Sequence, residues 1–259
     1  MARRFAVSTL GMPGTPVVKA ARLAAAHGCH GIELRTHPDE EVHIGLAASR
    51  IARLRGQIAD EGLEVACIAG YTKVCAPGPD QPVITELRAL IELAHRFGAP
   101  SVRVFPGGDA ESWNRISAVL DDLRGSGVRL LVETHDSHPT GKAALSLVEP
   151  FAAPELVAVL WDVLHPWRHG EEPALTRALL GDYLGYVQIK DVGGVRDLTP
   201  VLPGMGAVPL MLCGALLRSW DGWVSLEWEK AWYPQIGEVG QPLRALRPWL
   251  DMFVPPVRD

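Results

Sequence analysis

The strongest constraint on this chain is the alternation of short apolar runs with longer helical stretches. Eight runs, rich in valine, isoleucine, leucine and aromatic residues, have the length and composition of buried parallel strands. These runs are Arg4–Thr9, Gly31–Arg35, Glu64–Ala69, Ser101–Phe105, Val128–Glu133, Val157–Trp161, Tyr186–Ile189 and Val224–Glu227. Successive runs start about 30 residues apart, which is the size of one strand–helix unit. Eight such units fill the 259 residues.

The stretches between the runs carry the start and stop signals of helices. The first helix is predicted to begin at Thr15-Pro16 and to end at Gly28. Further helices are predicted over residues 47–61, 82–97, 112–123 (closed by Gly125) and 241–253. Pro248 is expected to kink or split the last of them, because proline removes a helical hydrogen bond.

Alternating strands and helices predict a parallel sheet, because parallel strands need crossover connections. No proline- or serine-rich linker divides the chain, so we expect one domain over residues 1–259. Eight units without an evident edge strand favour an α/β fold in the form of a single (β/α)8 TIM barrel. The alternative is an open, doubly wound sheet. Its phosphate-binding glycine fingerprint is missing from the turn LGMPGTP after the first run.

Composition narrows the classes of partner and the compartment. The formal net charge is −5 and the isoelectric point is about 6.0, which argues against nucleic acid as a partner. The four cysteines form no CxxC pair, so a disulfide framework is not expected and a reducing cytoplasm fits best. The N-terminal segment lacks the long apolar core of a secretory signal, and no run is long enough for a membrane span. We therefore expect a cytoplasmic protein that binds neither membrane nor nucleic acid.

Three carboxylates follow three different apolar runs. Glu133, Asp162 and Glu227 each stand where a strand is predicted to end, and in such a barrel the strand ends form the active face. Any one of them could form a salt bridge at the barrel rim. Three converging carboxylates need a cation among them to remain charged, and oxygen ligands suit Mg²⁺ or Mn²⁺ best.

The runs VETHDS, WDVLH with a following HGE, QIKD and SLEWEK together resemble the xylose isomerase-like barrel superfamily. The nearest resemblance within it is to the sugar phosphate isomerase/epimerase group. This resemblance implies one divalent metal ion, held by Glu133, Asp162, Gln188 and Glu227. Members of the family often have histidine at the position of Gln188, and an amide oxygen is a weaker, neutral ligand. Without that nitrogen ligand we expect manganese or magnesium rather than zinc or cobalt.

Five further residues are candidates for contact with a substrate. The resemblance implies such a role for His165 and for Arg196, which stands in the long loop after the seventh strand. The remaining candidates are Glu33, Arg103 and Lys190. Each of these three has an alternative interpretation as a member of a buried ion pair: Glu33 with Arg35 or Arg103, Arg103 with a carboxylate that it orients, and Lys190 with Asp191.

Three tryptophans flank the predicted site strands. Trp161, Trp228 and Trp232 could present ring faces on which a sugar stacks, or they could fill the core, which is the usual place of a large aromatic side chain. The sequence leaves both interpretations open.

The resulting functional hypothesis is a divalent-metal-dependent isomerase or epimerase of a sugar or a related polyol. Glu133 and Glu227 would exchange a proton with carbon next to a carbonyl, through an enediolate that the metal stabilises. A dehydratase or lyase begins with the same proton abstraction and stays open. A barrel that binds a sugar-like ligand without turnover also stays open, because Gln188 departs from the family pattern. The resemblance further suggests a homodimer.

Overall fold

The computed structural model describes residues 4–254, so the first residues of the N-terminal segment and the end of the predicted domain lie outside the described residues. The described chain forms a closed barrel of eight parallel strands in sequential order, each bonded to its neighbours and β1 to β8. The strands are β1 (Arg4–Ser8), β2 (Gly31–Arg35), β3 (Glu64–Lys73), β4 (Ser101–Phe105), β5 (Arg129–Glu133), β6 (Val157–Asp162), β7 (Leu184–Ile189) and β8 (Trp223–Leu226). The predicted (β/α)8 TIM barrel is confirmed.

Helices connect the strands around the outside of the barrel. They are α1 (Val17–Ala26), α2 (Ala48–Asp60), α3 (Asp80–Phe97), α4 (Trp113–Ser117), α5 (Leu120–Ser126), α6 (Gly141–Val148), α7 (Leu164–Arg168), α8 (Pro173–Leu180), α9 (Leu210–Leu216), α10 (Gly240–Ala245) and α11 (Arg247–Phe253). The predicted split at Pro248 is confirmed, since α10 ends at Ala245 and Pro248 stands in the first turn of α11. Such a first-turn position needs no backbone N–H from proline.

Two predicted boundaries differ from the structure by more than two residues. The helix predicted over 112–123 is two helices, α4 and α5, and the second continues beyond Gly125. Gly127 ends it instead, with a φ of 71° that glycine adopts without strain. Strand β3 continues to Lys73, beyond the predicted end at Ala69. The sequence GYTK that follows contains glycine and polar residues, which are typical of a turn, so the continuation of β3 was not predicted.

An apolar layer closes the lower part of the barrel interior. Eight buried residues form it, namely Ala6, Ala66, Cys67, Leu131, Ala158, Leu160, Tyr186 and Trp223. Glycine at position 31 makes room for the Trp223 ring, because a Cβ atom there would lie 2.6 Å from it. These side chains therefore fill this end of the barrel interior, and the cavity described below lies toward the carboxyl ends of the strands.

The buried side chain of Arg115 on α4 holds the loop between β3 and α3. Its guanidinium donates to the backbone oxygens of Val74 (2.9 Å), Ala76 (2.7 Å) and Gly78 (2.9 Å). It also pairs with Asp80 at 2.7 Å, at the start of α3. One side chain thus fixes the path by which the chain leaves the active face after β3.

All four cysteines are buried and free of disulfides. Among residues 4–254, no helix combines the length and the apolar character needed to cross a bilayer.

Candidate active site

A layer of buried polar side chains lies above the apolar layer, at the carboxyl ends of the strands. It contains Glu33 of β2, Arg103 of β4, Glu133 of β5, Asp162 of β6, Gln188 of β7, and Lys190 and Glu227, which follow β7 and β8. Their positions follow from strand geometry, since alternate residues of a strand point to the same side. The structure therefore brings the predicted carboxylates of β5, β6 and β8 to one end of the barrel.

The ammonium group of Lys190 lies among three carboxylates. Its Nζ atom is 2.8 Å from Asp162 Oδ2, 2.5 Å from Glu227 Oε2 and 2.7 Å from Glu229 Oε1. The side chain of Lys190 is only 5% exposed. The alternative pairing of Lys190 with Asp191 is therefore wrong, and Lys190 joins the carboxylates of β6 to those that follow β8.

Arg103 and Glu133 form a second buried ion pair beside the first. Arg103 Nε lies 3.2 Å from Glu133 Oε2, and both side chains are almost fully enclosed. The guanidinium also lies over the ring of Phe105, 4.1 Å from its centroid. Arg103 thus orients the carboxylate of β5, as one of its two sequence interpretations predicts.

Gln188 and Glu33 are joined deeper in the barrel. Gln188 Nε2 donates to Glu33 Oε1 at 2.9 Å, and this bond directs the amide oxygen of Gln188 elsewhere. Arg35, one of the partners suggested for Glu33, donates instead to Glu40 and to the hydroxyl of Tyr71. Glu33 therefore fixes the orientation of the Gln188 amide.

Burial and neighbouring charges shift the pKa values of the three carboxylates in different directions. Burial, with the charge of Glu227 added and that of Arg103 opposing, raises the pKa of Glu133 well above its ordinary value. Burial also raises the pKa of Asp162 to about 7, against the opposing charge of Lys190. Burial alone would raise the pKa of Glu227, but Lys190 and Arg103 outweigh it and hold that pKa below its ordinary value.

The predicted ligands have oxygen atoms suited to a divalent cation. Gln188 Oε1 is buried and accepts no hydrogen bond. Glu133 Oε2 and Asp162 Oδ2 are also buried, and they face the side-chain cations of Arg103 and Lys190. Buried oxygens of this kind are costly in a protein interior and are the donors that Mg²⁺ and Mn²⁺ take. The chemistry of the set therefore fits a divalent ion, although the ammonium of Lys190 lies beside Asp162 and Glu227 in this structure.

Two histidines extend the set of candidate metal ligands. Glu133, His135 and His165 offer ligand atoms that all lie within 4.8 Å of one another. The two imidazole rings meet edge to face with centroids 4.3 Å apart. Burial lowers the pKa of His165 well below its ordinary value and also lowers that of His135, which favours the neutral form that ligates metals. These three residues form a possible metal site.

A cavity of about 280 Å³ opens above the charged layer. Arg103, Glu133, Lys190 and Glu227 line it, together with the aromatic residues Tyr71, Phe105 and Trp232. An apolar wall around a few converging polar groups is typical of small-molecule sites. The sequence pointed to Trp232 but not to Tyr71, because the prediction ended β3 before it.

Arg196 does not line this cavity. It is exposed in the loop between β7 and α9, so its assignment to substrate contact stays a prediction. The base of the same loop is held by Asp191, whose carboxylate accepts from the backbone nitrogens of Gly204 (2.8 Å), Gly206 (3.0 Å) and Val208 (3.1 Å). A Cβ atom at position 206 would lie 2.2 Å from Asp191 Oδ1, so glycine is required there.

Fold and site together define a parallel barrel of the α/β class with a carboxylate-rich cavity at the carboxyl ends of its strands. The family model described as xylose isomerase-like TIM barrel matches residues 21–249. The chain belongs to this family, and the resemblance seen in its sequence is confirmed. No curated protein matches the chain.

Solved structures share the fold at low sequence identity. The probable 3-DHS dehydratase AsbF, involved in petrobactin synthesis in Bacillus anthracis, has a TM-score of 0.77 and 19% identity, with 94% of this chain and 98% of that chain covered. D-psicose 3-epimerase, solved in the presence of D-fructose, has a TM-score of 0.78 and 13% identity, covering 97% and 99%. L-ribulose 3-epimerase has a TM-score of 0.76 and 17% identity, covering 97% and 94%. These likenesses establish the fold alone.

Proposed function

We propose that this protein is an isomerase or epimerase that moves a proton on carbon next to the carbonyl of a sugar or related polyol. One observation carries the proposal: two buried carboxylates, Glu133 from β5 and Glu227 from the end of β8, line the same small cavity three strands apart. A pair of carboxyl groups on different sides of one substrate can remove a proton and return one. The likeness to D-psicose and L-ribulose 3-epimerases supports a ketose as the substrate class.

The other residues of the cavity would bind and orient the substrate. Arg103 and Lys190 present charged donors to its oxygen atoms, and Arg103 keeps the Glu133 carboxylate facing the cavity. Tyr71 and Trp232 offer ring faces on which the apolar side of a sugar packs. His165 does not line the cavity itself; it lies next to Asp162 and packs against the ring of His135, which does line it.

A divalent cation would be held by Glu133, Asp162, Gln188 and Glu227, and two imidazoles, those of His135 and His165, lie close to Glu133. The oxygen-rich part of the set favours manganese or magnesium. When bound, a divalent cation supplies Lewis-acid stabilisation of negative charge on the carbonyl oxygen. The proton itself would be held and moved by the carboxyl groups of Glu133 and Glu227.

Deuterium wash-in tests the proposed reaction whatever its product is. Ketopentoses and ketohexoses are incubated with the protein in D2O with added Mn²⁺ or Mg²⁺, and proton NMR follows the signals of the carbons next to the carbonyl. We expect catalysed loss of one such signal. A new upfield signal, from the deoxygenated carbon left when the enol formed by water loss becomes a ketone, would instead indicate a dehydratase, the reaction class named for one structural neighbour. Ligand binding with no exchange on any sugar would favour a non-catalytic sugar-binding barrel.

Replacing Gln188 with histidine is expected to change the metal preference. Imidazole suits borderline metals and an amide oxygen suits hard ones, so Q188H should tighten Zn²⁺ or Co²⁺ binding by about tenfold relative to Mg²⁺. Metal titrations of the parent, Q188H and the exposed-helix control Q81H give the comparison. Zinc affinity of Q188H should also fall more steeply below pH ~6.5, where imidazole takes up a proton. An unchanged preference would place Gln188 outside the metal's ligands.

A further inference from the structure

We propose that Lys190 is a built-in cation that competes with the divalent metal, so that metal binds only when the ammonium leaves Asp162 and Glu227. The inference rests on the proposed function in one respect, namely that these carboxylates are metal ligands. It concerns how the metal site is loaded, which the reaction itself does not specify.

The contacts of Lys190 carry this inference. Three carboxylate oxygens surround its Nζ atom at 2.5–2.8 Å, and an ammonium group has three hydrogens to give them. A Mg²⁺ ion bound by Asp162 Oδ2 and Glu227 Oε2 would need the space beside the same two oxygens, at about 2.0–2.1 Å from each, and Mn²⁺ would need the same space. Two positive charges cannot share that space, so binding of one excludes the other.

The third partner of Lys190 gives the displaced ammonium a place to remain. Glu229 is not among the predicted metal ligands, and its side chain is 17% exposed, whereas Asp162 is fully enclosed. Both Glu229 and Lys190 line the cavity. The flexible stem of lysine would therefore let Nζ keep Glu229 while giving up Asp162 and Glu227, and the ammonium would then face the substrate space.

The residue at position 188 weakens the metal's side of its competition with the Lys190 ammonium. A histidine there would add a strong nitrogen ligand for the metal, whereas the glutamine amide is neutral and its nitrogen is already engaged by Glu33. Only Gln188 Oε1 is left to the metal. A weakened ligand set combined with an internal cation predicts a protein that stays folded without metal and binds metal weakly.

The test measures Mn²⁺ binding by the whole chain after removal of metals with a chelator, with no substrate present. We expect K190M to bind Mn²⁺ at least tenfold more tightly than the parent. K73M is the matched control, since Lys73 lines the same cavity but is exposed at the end of β3. K190Q, which keeps a hydrogen-bond donor but no charge, provides a second variant should K190M fold poorly.

Thermal melting gives a second readout of the same competition. Added Mn²⁺ should raise the melting temperature of K190M and K190Q more than that of the parent, because only the variants lack a cation at the carboxylates. The inference would be overturned if both variants bound Mn²⁺ no more tightly than the parent. It would also be overturned if the parent kept one metal ion per chain after treatment with the chelator. Neither readout involves turnover, so a failure of the inference is distinct from a failure of the proposed reaction.

Discussion

Replacing Glu133 with glutamine is expected to lower the rate of proton exchange on the substrate by about two to four orders of magnitude, the scale for loss of a positioned acid or base. The amide keeps the size of the side chain and can neither take nor give the proton. E227Q should have a comparable effect, because the second carboxyl group is needed to return a proton. Deuterium wash-in under saturating ketose measures both rates.

The control for these variants is E92Q, on the exposed face of α3, where Glu92 pairs with Arg96. It should exchange at the parental rate. Glu133 is paired with Arg103, so the folding of E133Q is checked by thermal melting before its rate is interpreted. A folded E133Q or E227Q with near-parental exchange would remove that residue from the proton transfer.

Replacing Arg115 with methionine is expected to lower the free energy of unfolding by about 3–5 kcal/mol. The change deletes donors to three backbone carbonyls, of which that of Val74 is buried and those of Ala76 and Gly78 are part-buried. A buried acceptor left unpaired costs ~1–3 kcal/mol, and the loss of the packed arginine stem adds to this. The ion pair with Asp80 adds little, because that carboxylate is 41% exposed. For a chain of this size such a loss lowers the melting temperature by roughly 10 °C.

Arg124 provides the matched control for Arg115, since it is an exposed arginine on α5 paired with Asp121. R124M should melt within a degree or two of the parent, as is usual for surface ion pairs. If R115M melted like R124M, the β3–α3 loop would not depend on its buried guanidinium.

Most of the fold could be predicted because the barrel repeats one simple pattern. Strands β2 and β4 match their predicted bounds, since both are short, largely apolar runs that end in a charged or aromatic residue. The end of β3 could not be predicted, because Gly70 and Thr72 are residues that usually mark a turn. The division between α4 and α5 could not be predicted either, because the sequence between them contains neither proline nor glycine.

The convergence of three carboxylates could be predicted from the sequence, and the pairing of the side chains around them could not. That Glu133, Asp162 and Glu227 would share one end of the barrel follows from their places at strand ends. The reach of Lys190 across to β6 and past β8 does not follow, because a long flexible side chain has many rotamers and sequence spacing restricts none of them. The same holds for Gln188, whose amide is oriented by Glu33, 155 positions away in the chain.

The carboxylate of Asp191 has a consequence for how the protein could diversify. It fastens both ends of the loop between β7 and α9 to one point. The fixed base is thereby separated from a tip that includes the exposed side chain of Val195. Insertions or replacements at the tip would leave the position of the neighbouring Lys190 undisturbed. Natural variation could therefore alter what reaches the mouth of the barrel while the buried charged layer is inherited unchanged.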